Sequence, residues 1–370
     1  MKVLVAGDYC PRGRVLDIIE KGDFETVFGE VKDIVSSSDY SIINFECPIV
    51  YGNPEPIMKS GPNLKCTPKG LDAIKWAGFK CVTLANNHIF DYGDSGVIDT
   101  LSECDKKGID NVGCGRYIEE ASAVLYKKVG EKKLAIVNCC EHEFSIATEN
   151  SGGANPLNPI QQYYAIKEAK SNSDYVIVIV HGGHEHWQLP SPRMQEAYRF
   201  FVDTGADAVV NHHQHCFSGY EIYKAKPIFY GLGNFCFDGN RSRKELWHEG
   251  YMVMLSFGDN LEYELIPYNQ CSQEPTVRIL STEIYRDRIE ALNAIISEKD
   301  VLSKETKNYY SMSSRRYGDI FEPCHNKLYL WARIRGWLPS LISKKRKLAA
   351  ANYILCESHR DKLTFWLNNY

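Results

Sequence analysis

From Met1 to Phe257, short runs of β-branched and aliphatic residues break off into polar ones and alternate with stretches of helical periodicity. That alternation is the mark of a layered α/β architecture. Strands are expected at Val3–Gly7, Ser41–Phe45, Cys81–Ala85, Leu134–Cys139, Tyr175–Val180, Ala208–Asn211 and Pro227–Gly231. Helices are expected between them, for instance over Pro68–Ala77 and Gly96–Lys107, where Gly78 and Gly108 supply the left-handed residue that ends a helix. Gly250–Phe257 and Leu261–Pro267 flank a Gly-Asp-Asn turn and read as a hairpin.

After Gln270 the texture changes to charged, longer helical periodicity with few strands. This places one domain over residues 1–270 and a helical C-terminal extension over 271–370. The division suits a chain of 370 residues, longer than the ~250–300 at which a single core stops growing. Within the extension, Leu328–Lys347 mixes aromatic and aliphatic residues with Arg333, Arg335 and the run Lys344–Lys347. It reads as a helical pair packed on the main domain with a solvated basic end, or as a surface that docks peripherally on anionic lipid or polymer.

Composition narrows the classes. Lys+Arg 43 against Asp+Glu 47 gives a net charge of −4, which provides no global field for nucleic acid. The longest apolar runs, such as Tyr175–Val180, fall far short of the ~20 residues of a membrane-spanning helix. Asp8 interrupts the N-terminal run before a secretory signal of ordinary length forms. The thirteen cysteines are scattered without framework spacing, which suits reduced thiols. A cytoplasmic location is the expectation.

The chemistry gathers at strand ends. The first run leads into Asp8, the second into Asn44-Phe45-Glu46, the third into Asn86-Asn87-His88, the fifth into His181, and the sixth into Asn211-His212-His213-Gln214-His215. In open α/β sheets ligands collect beyond the carboxyl ends of strands. Six of the 11 histidines lie between His181 and His215, about one tenth of the chain, where composition alone predicts roughly one. His213 and His215, two residues apart, are expected to share a side and to bind neighbouring ions, with His212 and Gln214 facing away. One aspartate after a strand is commonly a turn former, and one buried histidine a hydrogen-bonded core residue. Recurrence at five strand ends points to a metal centre instead. Mixed carboxylate, amide and imidazole donors suit Mn, Fe or Zn.

Read in order, Gly7-Asp8, Asn44–Pro48 (NFECP), Leu84–Gly93 (LANNHIFDYG), His181–Glu185 (HGGHE) with Pro190, Gly205–His215 (GADAVVNHHQH) and Gly219–Asp238 resemble the CapA family. These are capsule and poly-γ-glutamate biosynthesis proteins with a calcineurin-like metallophosphoesterase fold, and the resemblance covers roughly residues 1–257. It implies a layered sandwich of two central β-sheets flanked by helices, holding two divalent metal ions. Asp8 would bind the first ion, and Glu46, where the superfamily usually has an aspartate, would bridge. Asn87, His181 and His213 would serve the second, and His215 would close the first. His88, with Asp91 as orienting partner, would approach the substrate phosphate, and Asn44, Glu185 and Arg12 are placed at an anionic substrate. Cys10 stands where the superfamily has a histidine; Gly182, Asn211 and Gln214 replace a tryptophan, a glycine and a proline. Gly231–Phe235 reads as a family turn, and Glu141-His142-Glu143 follows another strand end.

The expected activity is metal-dependent hydrolysis of a phosphoester or related bond in capsule, poly-γ-glutamate or surface polysaccharide synthesis. A non-catalytic polymer-binding component and an amide hydrolase acting on a glutamate polymer are the alternatives. Oligomeric state is left open.

Overall fold

The computed structural model describes all residues except 60, 240–244, 314–325, 344–346, 348–353 and 355–370. Lys344, Lys345 and Arg346 of the expected basic end therefore lie outside the described residues. Met1–Ser303 and Lys304–Tyr370 form two separate compact units. In the first, the alternation of side chains along each strand builds two sheets. The larger runs in the order Val277–Ile279, Leu261–Gln270, Glu249–Phe257, Lys2–Cys10, Tyr40–Phe45, Cys81–Thr83, Asp110–Val112, with Asn234–Phe237 also pairing with Lys2–Cys10. The second runs Tyr220–Tyr223, Lys226–Phe229, Ala208–His212, Tyr175–His181, Lys132–Cys140, Leu125–Val129. The first unit continues past Gln270, because Val277–Ile279 adds a strand and the helix Arg286–Ser297 buries Ile289 and Ile296.

Val3 and Val5 point one way and pack with Ile42, Ile136, Ile177, Ala208 and Val210 in a core between the sheets. Leu4 and Ala6 point the other way and pack under the helices Gly13–Glu20, Phe24–Ser36 and Lys69–Ala77. The second sheet's outer face, with Val176, Val178 and Val180, is covered by residues of Pro159–Asn172 and Pro192–Thr204. The result is a sandwich of two sheets with helices outside, as expected. Gly78 (φ 98°) and Gly108 (φ 63°) end their helices in the left-handed region, and Glu249–Phe257 and Leu261–Gln270 form the expected hairpin. The eleven described cysteines are free and buried, and no described helix is long and apolar enough to cross a membrane.

Two features seat the strand ends. The pairing of Lys2–Cys10 with Tyr40–Phe45 slips between Ala6 and Asp8, a bulge that re-aims the strand end. Gly7 fills it, because a Cβ there would sit 2.0 Å from the Gly233 carbonyl oxygen. Asn138 joins the sheets: its Oδ1 accepts from Ala85 N at 2.8 Å and its Nδ2 donates to Ile179 O at 3.0 Å. The segment Gly231–Phe235 is a turn only in its first half. Gly233 (φ 81°) makes that turn, and the chain then runs parallel to the first strand, with Asn234 opposite Asp8.

Gly7→Ala is expected to destabilise the protein by about 2–3 kcal/mol through backbone overpacking. Urea unfolding measures it, and an unchanged midpoint would show that the bulge relaxes freely.

Candidate metal centre

Asp8, Glu46, Asn87, His181, His213 and His215 converge from the ends of both sheets, each 8% exposed or less. Their donor atoms form two groups, Glu46 with His181 and His213, and Asp8 with Glu46 and His215, all within 4.8 Å of one another in each group. Glu46 belongs to both. Its Oε1 lies 3.7 Å from His181 Nε2 and 3.6 Å from His215 Nε2. His181 Nε2 also lies 3.1 Å from His213 Nδ1 and 3.0 Å from Asn87 Oδ1. Donors on one ion at bonds of about 2.0–2.2 Å stand roughly 3–3.5 Å apart, so the spacing fits a coordination sphere.

The candidate donors differ in their hydrogen bonding. Both Glu46 oxygens are buried with no hydrogen-bond partner, a costly arrangement for a carboxylate that no cation meets. Asp8 Oδ1, by contrast, accepts from Asn44 Nδ2 at 2.8 Å, and Oδ2 accepts from the backbone N–H of His213 at 3.2 Å. His215 Nδ1 faces Asn234 Oδ1 at 2.9 Å, which fixes the ring so that Nε2 turns to Glu46. His213 (φ 89°) and His215 (φ 55°) hold left-handed backbone, strain of the kind that surrounding structure maintains at functional sites.

The electrostatics are those of a donor set suited to a cation. Burial raises Asp8, but His212, His181 and His215 outweigh it and hold the carboxyl below its usual range. Burial and then the neighbouring Asp8 push Glu46 well up. Burial pushes His181 far down and His215 down to about 4, the latter against the pull of Asp8 and Glu185. Neutral imidazoles and one carboxylate forced to hold a proton are the state that a divalent cation displaces. The residues present therefore fit metal ions.

Around this centre the placement departs from expectation in places. Asn44 is buried, and its amide supports Asp8 and lies 3.3 Å from His181 Nδ1, which makes it a support for the ligands rather than a substrate contact. Arg12 starts the helix Gly13–Glu20 without a side-chain cap bond and joins none of the cluster's contacts among the described residues; Arg14 is tied to Asp238 and to the carbonyls of Cys271, Ser272 and Gln273. Glu185 stands half exposed; burial raises its carboxyl, and His215, His213, His186 and His88 bring it lower. Cys10 packs in the apolar core, and its sulfur enters neither donor group. His212 does not turn away: Nδ1 lies 3.3 Å from Asp8 Oδ1. Gln214 does turn away, its amide bonded to Trp187 O at 2.8 Å.

His88 belongs to neither donor group. Its Nδ1 lies 2.7 Å from Asp91 Oδ2, and Asp91 in turn accepts from Leu64 N at 2.6 Å. Lys59, which sequence reasoning missed, forms a buried ion pair with Asp91 and lies 3.1 Å from His88 Nδ1. Glu143 accepts from Asn87 Nδ2 at 3.0 Å, orienting the amide so that Oδ1 faces His181.

With this geometry in place, comparison with known proteins is decisive for the family. Residues 2–239 match the family described as "Bacterial capsule synthesis protein PGA_cap". The chain belongs to that family. It is 30% identical over 315 residues to the "Capsule biosynthesis protein CapA" of Bacillus anthracis, covering 81% of this chain and 76% of that one. It is 32% identical over 240 residues to the "PGA biosynthesis protein CapA" of Bacillus subtilis (strain 168), covering 64% and 63%. Among solved structures, a "novel phosphatase" of Mycoplasma pneumoniae aligns at TM-score 0.46 and 16% identity over 72% of this chain and 92% of its own. A hypothetical protein from Thermus thermophilus aligns at TM-score 0.46 and 15% identity over 72% and 99%.

Glu46→Gln should remove metal from both donor groups, whereas His213→Ala should leave ions only at the Asp8 group. Elemental analysis after manganese loading and removal of excess reads this directly, and equal metal content in the two variants would contradict the shared role of Glu46.

Proposed function

We propose that this family member is a metal-dependent hydrolase that cleaves a phosphoester or related bond during synthesis of capsule, poly-γ-glutamate or a surface polysaccharide. The observation that carries the reading is His88, an imidazole outside both donor groups yet oriented by Asp91 beside them. A purely structural metal site has no use for such a group. Two divalent ions of the Mn, Fe or Zn class, held by these donors, would supply an activated water and polarise phosphoryl oxygens.

The chain's own residues do the rest. Glu46 stands between the two donor groups and sets their separation. Asp91 takes the Nδ1 side of His88, which leaves Nε2 to give a proton to the leaving oxygen. Lys59 offsets the Asp91 charge in a site nearly closed to water, and its neighbours Ile57 and Leu64 donate backbone bonds to Asp91 O and Oδ2. His184 is held low by burial, with Arg193 and His213 adding to the effect, and lies with Glu185 on the segment that leaves His181. Glu185 is the rim group available to a hydroxyl or ammonium of the substrate.

A second reading, a non-catalytic component that grips an acidic polymer, is favoured by Cys10, whose retreat into the core leaves the Asp8 group with one donor fewer than the family resemblance implies.

His88→Ala is expected to lower manganese-dependent hydrolysis of aryl phosphate mono- or diesters by about 10²–10⁴-fold with metal content kept. Lys59→Met should fall in the same direction, and Lys59→Arg should recover part of the rate. Wild-type protein that binds metal and polyglutamate but turns over neither ester would establish the second reading.

A further inference from the structure

A cleft of about 590 Å³ lies in the first unit at the end away from the metal centre. It opens where the parallel strands Tyr40–Phe45, Cys81–Thr83 and Asp110–Val112 begin, whereas Glu46 and Asn87 follow the far ends of the first two. Strand Tyr40–Phe45 has 6 residues, and at ~3.3 Å for each the cleft and the metal centre stand roughly 20 Å apart. The turn of the hairpin Leu125–Val129 with Lys132–Cys140 supplies a further wall. Lys75, Lys80, Lys127 and Lys128 line this cleft together with two carboxylates, Asp39 and Asp110. Asp110 is occupied: Oδ2 accepts from the Tyr40 hydroxyl and Oδ1 from Lys127 Nζ, both at 2.7 Å. Asp39 Oδ2 accepts from the backbone N–H of Lys2 at 2.7 Å.

The other lysines keep their charge. Lys75 donates to the Lys107 carbonyl oxygen and Lys80 to the Asp39 carbonyl oxygen, the latter at 2.8 Å. A carbonyl positions an ammonium without cancelling it, and each ammonium has two further donors to offer a ligand. Lys128 stands 3.9 Å from Glu131, but both side chains are open to water, where such a pair contributes little. A concentration of cations held in place within a chain whose net charge is −4 marks an anion site. The chemistry of the lining selects the anion. No arginine fork and no helix N-terminus, the devices suited to a compact phosphate, is in it; Lys69–Ala77 and Gly93–Lys107 turn their C-terminal ends to it at Gly78 and Gly108. Separate ammonium groups instead match single carboxylates spaced along a chain, and Ile109 and Val129 offer apolar contact to the methylenes between them. We infer that this cleft binds a segment of polyglutamate at a place distinct from the metal centre. The inference rests on the reading that this family member serves synthesis of such a polymer; it gives the polymer a grip that is independent of the reaction.

The test titrates the full chain into a fluorescently labelled poly-γ-glutamate oligomer and reads anisotropy at low and high salt. Saturable binding that salt weakens is expected. Lys75→Gln, Lys80→Gln and Lys128→Gln combined should weaken it by about tenfold, whereas Arg at the same three positions should keep it. Lys127 is left in place because it holds Asp110. Glu46→Gln, which alters the metal centre alone, should bind as the wild type does. Thermal melting shows that each variant folds. Absence of binding by the wild type, binding unchanged in the Gln variant, loss in Glu46→Gln, or competition by inorganic phosphate as strong as by unlabelled oligomer would overturn the inference. The Gln variant should hydrolyse aryl phosphate esters at the wild-type rate. A wild-type chain that binds the oligomer but hydrolyses no ester would uphold the cleft and overturn the proposed reaction alone.

Discussion

A carboxylate sealed from water with no donor to meet it is the constraint on which the site depends. Glu46 is fully buried, both its oxygens lack hydrogen bonds, and Asp8 stands close enough to repel it. A protein tolerates such a group only as a protonated acid or beside a cation. Everything around it suits the cation. The imidazoles of His181 and His215 are kept neutral by burial, Asn87 and His213 turn a lone pair inward, and Asp8 is held ionised by neighbouring rings. A proton on Glu46 then occupies the place that a cation would take.

The architecture serves this convergence. One sheet presents Asp8, Glu46 and Asn87 from successive parallel strands, and the other presents His181, His213 and His215, so neither sheet alone holds a complete donor set. Supports come from the same places. Asn44, one residue short of the end of its strand, reaches sideways to Asp8, and Asn234 on an added short strand fixes the His215 ring.

Much of this was legible in the sequence because parallel strands are short apolar runs and their ends are where polar residues first appear. The seven principal strands and the ligand-bearing ends stood out for that reason. Lys59 was not legible, since it lies in a loop without periodicity and reaches His88 and Asp91 only through the tertiary fold. His212 was misplaced by a simple alternation argument. It continues the face of Ala208 and Val210, which looks between the sheets, and that face ends at Asp8; the left-handed turn at His213 then redirects the chain. Asn234–Phe237 escaped notice because four residues after a glycine-rich turn carry too little pattern to identify a strand. Cys10, at the motif position where the superfamily has a histidine, had no role that the sequence could assign; the fold buries it among apolar neighbours.

Asn138 ties the two halves of this arrangement together. Its one amide accepts from the strand end that leads to Asn87 and donates to the strand that ends at His181. Ile179 shares a sheet with Asn138, so the Ala85 bond is the one that spans the layers; sliding one sheet against the other would leave the Ala85 N–H and Asn138 Oδ1 dry and unpaired, a penalty of about 1–3 kcal/mol for each. The donor set draws on both layers, so it is assembled when the sandwich is closed and dismantled when the layers part. Under the proposed reading, an ion held by donors from both sheets would favour the closed sandwich, as a rivet holds two plates.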